Sequence, residues 1–138
     1  MHEQADAATA LKGIARIEAT ARRRSGWYAG YLWLFAVWQL VLVPAVLLWH
    51  GPTGTLVSTL ANALVVTGLS LFATRQPVVP HGYAGRHLRV IGAWAVAYVL
   101  TLALGVTVFV DSVAFAATAA LVCALPASVA AWREARAV

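Results

Sequence analysis

Residues Leu88–Trp132 read LRVIGAWAVAYVLTLALGVTVFVDSVAFAATAALVCALPASVAAW, and the number of times this stretch crosses a bilayer decides the fold. Only Asp111-Ser112 interrupts it. As a single helix it would be ~67 Å long at about 1.5 Å per residue, more than twice the ~30 Å of hydrocarbon that a helix must span. The chain is therefore expected to turn near Asp111, where Asp111 or Ser112 offers a side-chain oxygen to cap the helix that follows.

Upstream, two further apolar blocks run from about Tyr28 to Trp49 and from about Thr55 to Ala73, separated by the breakers His50-Gly51-Pro52-Thr53-Gly54. A polar connection, 74–87, carries Pro77, Pro80, Gly82 and Gly85. The blocks fit the whole composition: 138 residues, 62% hydrophobic and 11% charged, with a mean hydropathy of +0.78, leave too little polar surface for a water-soluble globule. In lipid every backbone polar group has to be satisfied internally, which makes each block a helix. The expected fold is all-α: an integral membrane protein with four transmembrane helices in two hairpins (residues 27–138), preceded by an amphipathic interfacial helix within residues 1–26.

The cations orient this arrangement. Lys12, Arg16, Arg22, Arg23 and Arg24 precede the first block, Arg75, Arg86 and Arg89 flank the central connection, and Arg133 and Arg136 follow the last block. With four crossings all ten lie on one side, which the positive-inside rule assigns to the cytoplasm together with both termini. Three or five crossings would divide them. Trp27, Tyr28, Trp49, Tyr83 and Trp132 stand near block ends, as interfacial aromatic anchors do. Within residues 7–24, Ala7, Ala10, Leu11, Ile14, Ile17 and Ala21 fall on one side of a helix and Lys12, Arg16, Thr20 and Arg23 on the other. This pattern suits a helix on the anionic lipid of the cytoplasmic leaflet, and secondarily a docking surface for a cytoplasmic partner, with Lys12, Arg16, Arg22, Arg23 and Arg24 as the contacts. Topology accounts for the +5 charge without nucleic acid.

Small residues recur every fourth position as Ala93, Ala97, Thr101 and Gly105 and again as Ala116, Ala120, Ala124 and Ser128, spacings that let membrane helices approach closely. Packing within one chain is the favoured reading of both stripes over a dimer seam. Pro44 and Pro126 each remove a backbone hydrogen bond inside a block. The first block carries Tyr31, Trp33, Phe35 and Trp38, read as a lipid- or partner-facing surface, and leads to Gln39. Gln39 and Asn62 are the most polar side chains at hydrophobic depth, and an antiparallel hairpin places them within about a helical turn of each other. A hydrogen bond between them would contribute ~0.6 kcal/mol, which favours structural glue over a substrate site.

Chemistry is sparse elsewhere. His2, His50, His81 and His87 are scattered, all five acids lie outside the apolar blocks, and Cys123 is the only cysteine, so no catalytic pair, cofactor motif or metal-ligand set emerges. His81 and His87 could approach each other in the central connection, but two histidines alone are a weak metal signal. Tyr28-Ala29-Gly30 recurs as Tyr83-Ala84-Gly85 at the start of the third block, a weak sign of a duplicated hairpin.

The basic N-terminal helix, then Ala21-Arg22-Arg23-Arg24-Ser25-Gly26-Trp27-Tyr28, then two apolar hairpins, resembles small four-helix membrane proteins of high-GC actinobacteria. That resemblance implies the layout and a bacterial inner membrane, and it transfers no activity or functional residue. The small multidrug-resistance exporters also have four helices, but they carry a membrane-embedded glutamate in the first helix where this chain offers only Gln39. The functional expectation is a non-enzymatic accessory or interaction protein, partnered by another membrane protein or by its own copies. The alternative is a small transporter or channel subunit acting as an oligomer.

Overall fold

The computed structural model describes residues 1–77, 79 and 82–137, apart from the side chains at 2 and 22–25. Five helices follow one another: α1 (His2–Ser25), α2 (Trp27–Leu48), α3 (Pro52–Thr74), α4 (Tyr83–Thr107) and α5 (Val113–Ala137). The fold is all-α, with no strand among the described residues. Each of α2 to α5 is long and apolar enough to cross a membrane, which gives the chain the build of a multi-pass membrane protein.

Two short turns make the hairpins. Between α2 and α3, Gly51 adopts φ +95°, a conformation that favours glycine, and Pro52 follows in the first turn of α3, where its missing N–H costs nothing. Gly54 lies so close to the Trp49 carbonyl that a Cβ there would collide with it. The turn between α4 and α5 has neither glycine nor proline. Leu104 O accepts from both Val108 N (2.9 Å) and Phe109 N (3.0 Å), and Asp111 takes the left-handed conformation at φ +59°, which Asp tolerates better than most residues. Ser112 Oγ then accepts from Phe115 N at 3.2 Å, so of the two capping candidates it is Ser112 that closes the first turn of α5. Phe109 and Phe115 stack across this turn with centroids 4.6 Å apart. His50 Nδ1 and Asp111 Oδ1, 3.1 Å apart, join the two turns.

The main packing seam lies between α2 and α5. On α2 it takes Tyr28, Leu32, Phe35, Ala36, Gln39, Val43 and Leu47, and on α5 Ala116, Ala119, Ala120, Cys123, Ala124, Ala127 and Ala131, all buried. One helix supplies large side chains and the other a nearly smooth alanine surface that lets them approach to full contact. The seam divides into two apolar clusters running antiparallel: Tyr28, Leu32, Phe35 and Ala36 with Ala124, Ala127 and Ala131, then Val43 and Leu47 with Ala116, Ala119, Ala120 and Cys123. α4 packs more lightly on α5, and Gly105 there lies so close to Leu47 of α2 that a Cβ would collide with it. α3 rests on α2, with only Gly54, Ser58 and Leu69 buried.

Several expectations change at this level. Of Tyr31, Trp33, Phe35 and Trp38, only Trp33 is strongly exposed, at 45%; Phe35 is buried, and Tyr31 and Trp38 are half-buried, because the bundle wraps α2 on several sides. Tyr28 is likewise no interfacial anchor, being 1% exposed in the seam. The central connection is shorter than 74–87, because α4 begins at Tyr83 and absorbs His87. A helix, α1, occupies the N-terminus and forms no packed interface with another helix among the described residues. Gly26 between α1 and α2 keeps helical dihedrals (φ −63°, ψ −13°), so the backbone passes from one helix into the next without reversing.

Candidate functional site

Gln39 occupies the stripe of α2 that faces α5, in the interval between the two apolar clusters. Its side chain is fully buried, and neither Nε2 nor Oε1 has a hydrogen-bond partner. Trp94 of α4 packs against both clusters, stacks edge-on against Phe35 with centroids 5.3 Å apart, and also holds a buried Nε1 without a partner. Leaving a buried donor or acceptor unmet costs about 1–3 kcal/mol per group. The middle of the bundle therefore carries unspent hydrogen-bonding capacity. Close by in the second cluster, Cys123 Sγ reaches Thr101 Oγ1 at 3.6 Å, a buried contact between α5 and α4.

The expected bond between Gln39 and Asn62 does not form. Asn62 Oδ1 instead accepts from Trp38 Nε1 at 3.1 Å. Depth and direction have to be separated here: adjacent helix positions point about 100° apart at 3.6 residues per turn, so Trp38 addresses α3 while Gln39 addresses the seam. The two polar residues share a level but not a face.

A second constellation lies where α2 and α4 begin and α5 ends. Tyr28 and Tyr83, first residues of the two Tyr-Ala-Gly triplets, meet edge to face with centroids 4.9 Å apart. His87 stacks on Tyr83 at 5.2 Å, and its Nδ1 lies 3.4 Å from Tyr28 Oη. Trp27, Tyr31 and Phe72 extend the set across to α3. These rings are packed on one another, so they join three helices and enclose no cage. Beside them Arg86 of α4 pairs with Glu134 of α5 at 2.8 Å, half-buried on the Arg side and 17% exposed on the Glu side. Arg136 lies over the ring of Trp132, 3.7 Å from its centroid.

The remaining candidates are dispersed. Of the small-residue stripes, Thr101 and Gly105 are buried, Ala97 is half-buried and Ala93 is exposed, whereas Ala116, Ala120 and Ala124 are buried and Ser128 is half-buried with its Oγ on Ala124 O at 2.9 Å. The partner of the second stripe is chiefly α2 rather than α4. Lys12 and Arg16 are exposed on α1, and the side chains of Arg22, Arg23 and Arg24 lie outside the described residues, as does His81. The Gln39–Trp94 region was not legible as a unit in the sequence, because a tryptophan in an apolar block gives no sign of whether its N–H has a partner.

No family model matches the chain, and no curated protein or solved structure is significantly similar to it.

Proposed function

We propose that this chain is a non-enzymatic accessory protein of a bacterial inner membrane, with α1, the connection between α3 and α4 and the C-terminus in the cytoplasm. The orientation draws on the cations: every Lys and Arg lies in α1 or at the ends of α3, α4 and α5 that share its side of the bundle. The observation that carries the role is α1. It runs for 24 residues with Leu11, Ile14 and Ile17 exposed at 67%, 54% and 71%, and no other helix among the described residues covers them. A helix of that length with an apolar stripe calls for a surface to lie against. Helical dihedrals at Gly26 carry α1 away from the bundle rather than back along it, which favours a cytoplasmic protein partner. If the chain instead bends at Ser25-Gly26, Lys12, Arg16 and Arg22–Arg24 suit the anionic cytoplasmic leaflet.

Photo-crosslinking from Ile14 or Ile17 in native membranes tests this. One discrete protein adduct at both positions is expected, and labelling of lipid alone would overturn the protein-partner role. A reporter active only in the cytoplasm, fused after Val138, should be active, and a silent fusion of a well-expressed chain would overturn the orientation.

One observation speaks for the rival reading, a transporter or channel subunit acting as an oligomer: the unpartnered Gln39 amide offers both a donor and an acceptor to a polar solute at mid-depth. Flux through liposomes containing the purified chain, abolished by Gln39→Leu, would establish that reading. Flux unchanged by the substitution would remove Gln39 from any path.

A further inference from the structure

A groove of about 600 Å³ runs between the N-terminal half of α4 and the C-terminal half of α5. Its water-side end carries Arg89 and Arg133, beside the Arg86–Glu134 pair, so three guanidiniums face a single carboxylate. From there inward the walls are Val90, Ala93, Leu125 and Val129, all apolar. Arg89 and Arg133 have no carboxylate partner among the described residues; Arg89 Nε donates to Gly85 O at 3.3 Å, within its own helix.

We infer that this groove binds one anionic phospholipid, its phosphate between Arg89 and Arg133 and an acyl chain along Val90, Ala93, Leu125 and Val129. The inference rests on the bundle lying in a membrane, and not on the accessory role. Charge and polarity are arranged head to tail as in the ligand: guanidiniums match phosphate oxygens in fork geometry, and the aliphatic walls match hydrocarbon. The groove is open along one side, so a lipid can enter it laterally from the bilayer.

Native mass spectrometry of the delipidated full chain in mild detergent, titrated with phosphatidylglycerol and with phosphatidylcholine of the same acyl chains, decides the matter. One saturable phosphatidylglycerol adduct is expected, with phosphatidylcholine binding at least tenfold weaker. The double variant R89Q/R133Q should weaken phosphatidylglycerol binding by about thirty-fold, from the contribution of two cations near a lipid surface. Ala93→Trp, which fills the groove and keeps both cations, should abolish the adduct. An Arg75→Gln variant, at the end of α3 and outside the groove, should bind as the parent does. Equal binding of the two lipids, an undiminished adduct in R89Q/R133Q or in Ala93→Trp, or displacement of the lipid by millimolar inorganic phosphate would each overturn the inference. Resistance of the chain to carbonate extraction from membranes is read separately, so a failure of membrane embedding is distinguished from a failure of the site.

Discussion

α2 meets α5 and α3 in opposite ways. Toward α5 it presents Tyr28, Leu32, Val43 and Leu47 to a face made of alanines, and both sides are buried along the whole contact. Toward α3 it presents Leu34, Trp38 and Val41 across an apolar groove of about 610 Å³, and α3 buries little besides Gly54, Ser58 and Leu69 near its two ends. Over their most apolar windows, 39% of α2 and 33% of α5 is buried, against 11% of α3. Both contacts join apolar surfaces, yet only one is close. In lipid, covering an apolar side chain displaces hydrocarbon rather than water, so contact is gained only where side chains are small enough for the backbones to approach. Alanine meets that requirement on α5; Leu60, Leu64 and Val66 of α3 lose nothing by facing lipid tails.

This contrast can be broken by enlarging one residue on each side. Ala127→Phe, at a position with no exposed surface, should cost about 3 kcal/mol, while Leu64→Phe on α3, 75% exposed, should stay within about 0.5 kcal/mol. Unfolding of the purified chain by a denaturing detergent reads both, and similar losses would mean that α3 is as tightly held as α5. Polar substitutions sharpen the contrast through their sign. Gln39→Leu removes an unpartnered amide from the tight seam and should stabilise by about 2 kcal/mol in the same assay. Destabilisation would mean that the amide is hydrogen-bonded within the folded chain. The turn that delivers α5 to α2 depends on a left-handed Asp111; Asp111→Val and Asp111→Gly both lose the His50 contact, and Val should cost about 1–2 kcal/mol more than Gly, a difference visible as separate unfolding midpoints. The smallest effect belongs to the loose side, where Asn62→Leu loses the bond from Trp38 and about 0.6 kcal/mol. A cost several times larger would mark that bond as the main tie of α3.

The number and rough extent of the membrane helices were legible because block length, the Gly51-Pro52 breaker and hydrocarbon thickness each constrain them separately. Asp111-Ser112 was enough to locate a turn that lacks both glycine and proline. Neighbour relations were much less legible, since they depend on the direction in which each helix face points. Small residues on α5 signalled close packing but not that the large residues of α2 would fill it. Trp38 and Gln39 illustrate the same gap, being one residue apart in sequence and aimed at different helices. The Tyr-Ala-Gly triplets do come together through Tyr28 and Tyr83, but the two halves are not packed equivalently: α2 lies closely on α5, while α4 and α3 have no comparable interface.

Three residues separate α2 from α3, five separate α4 from α5, and His50–Asp111 ties these two turns together. Almost nothing projects from that end of the molecule for a protease, an antibody or an extracellular binding protein to grip. In the orientation proposed above, any such probe added to intact cells should leave the chain untouched, and the end where α1 emerges is the one with surface to offer another macromolecule.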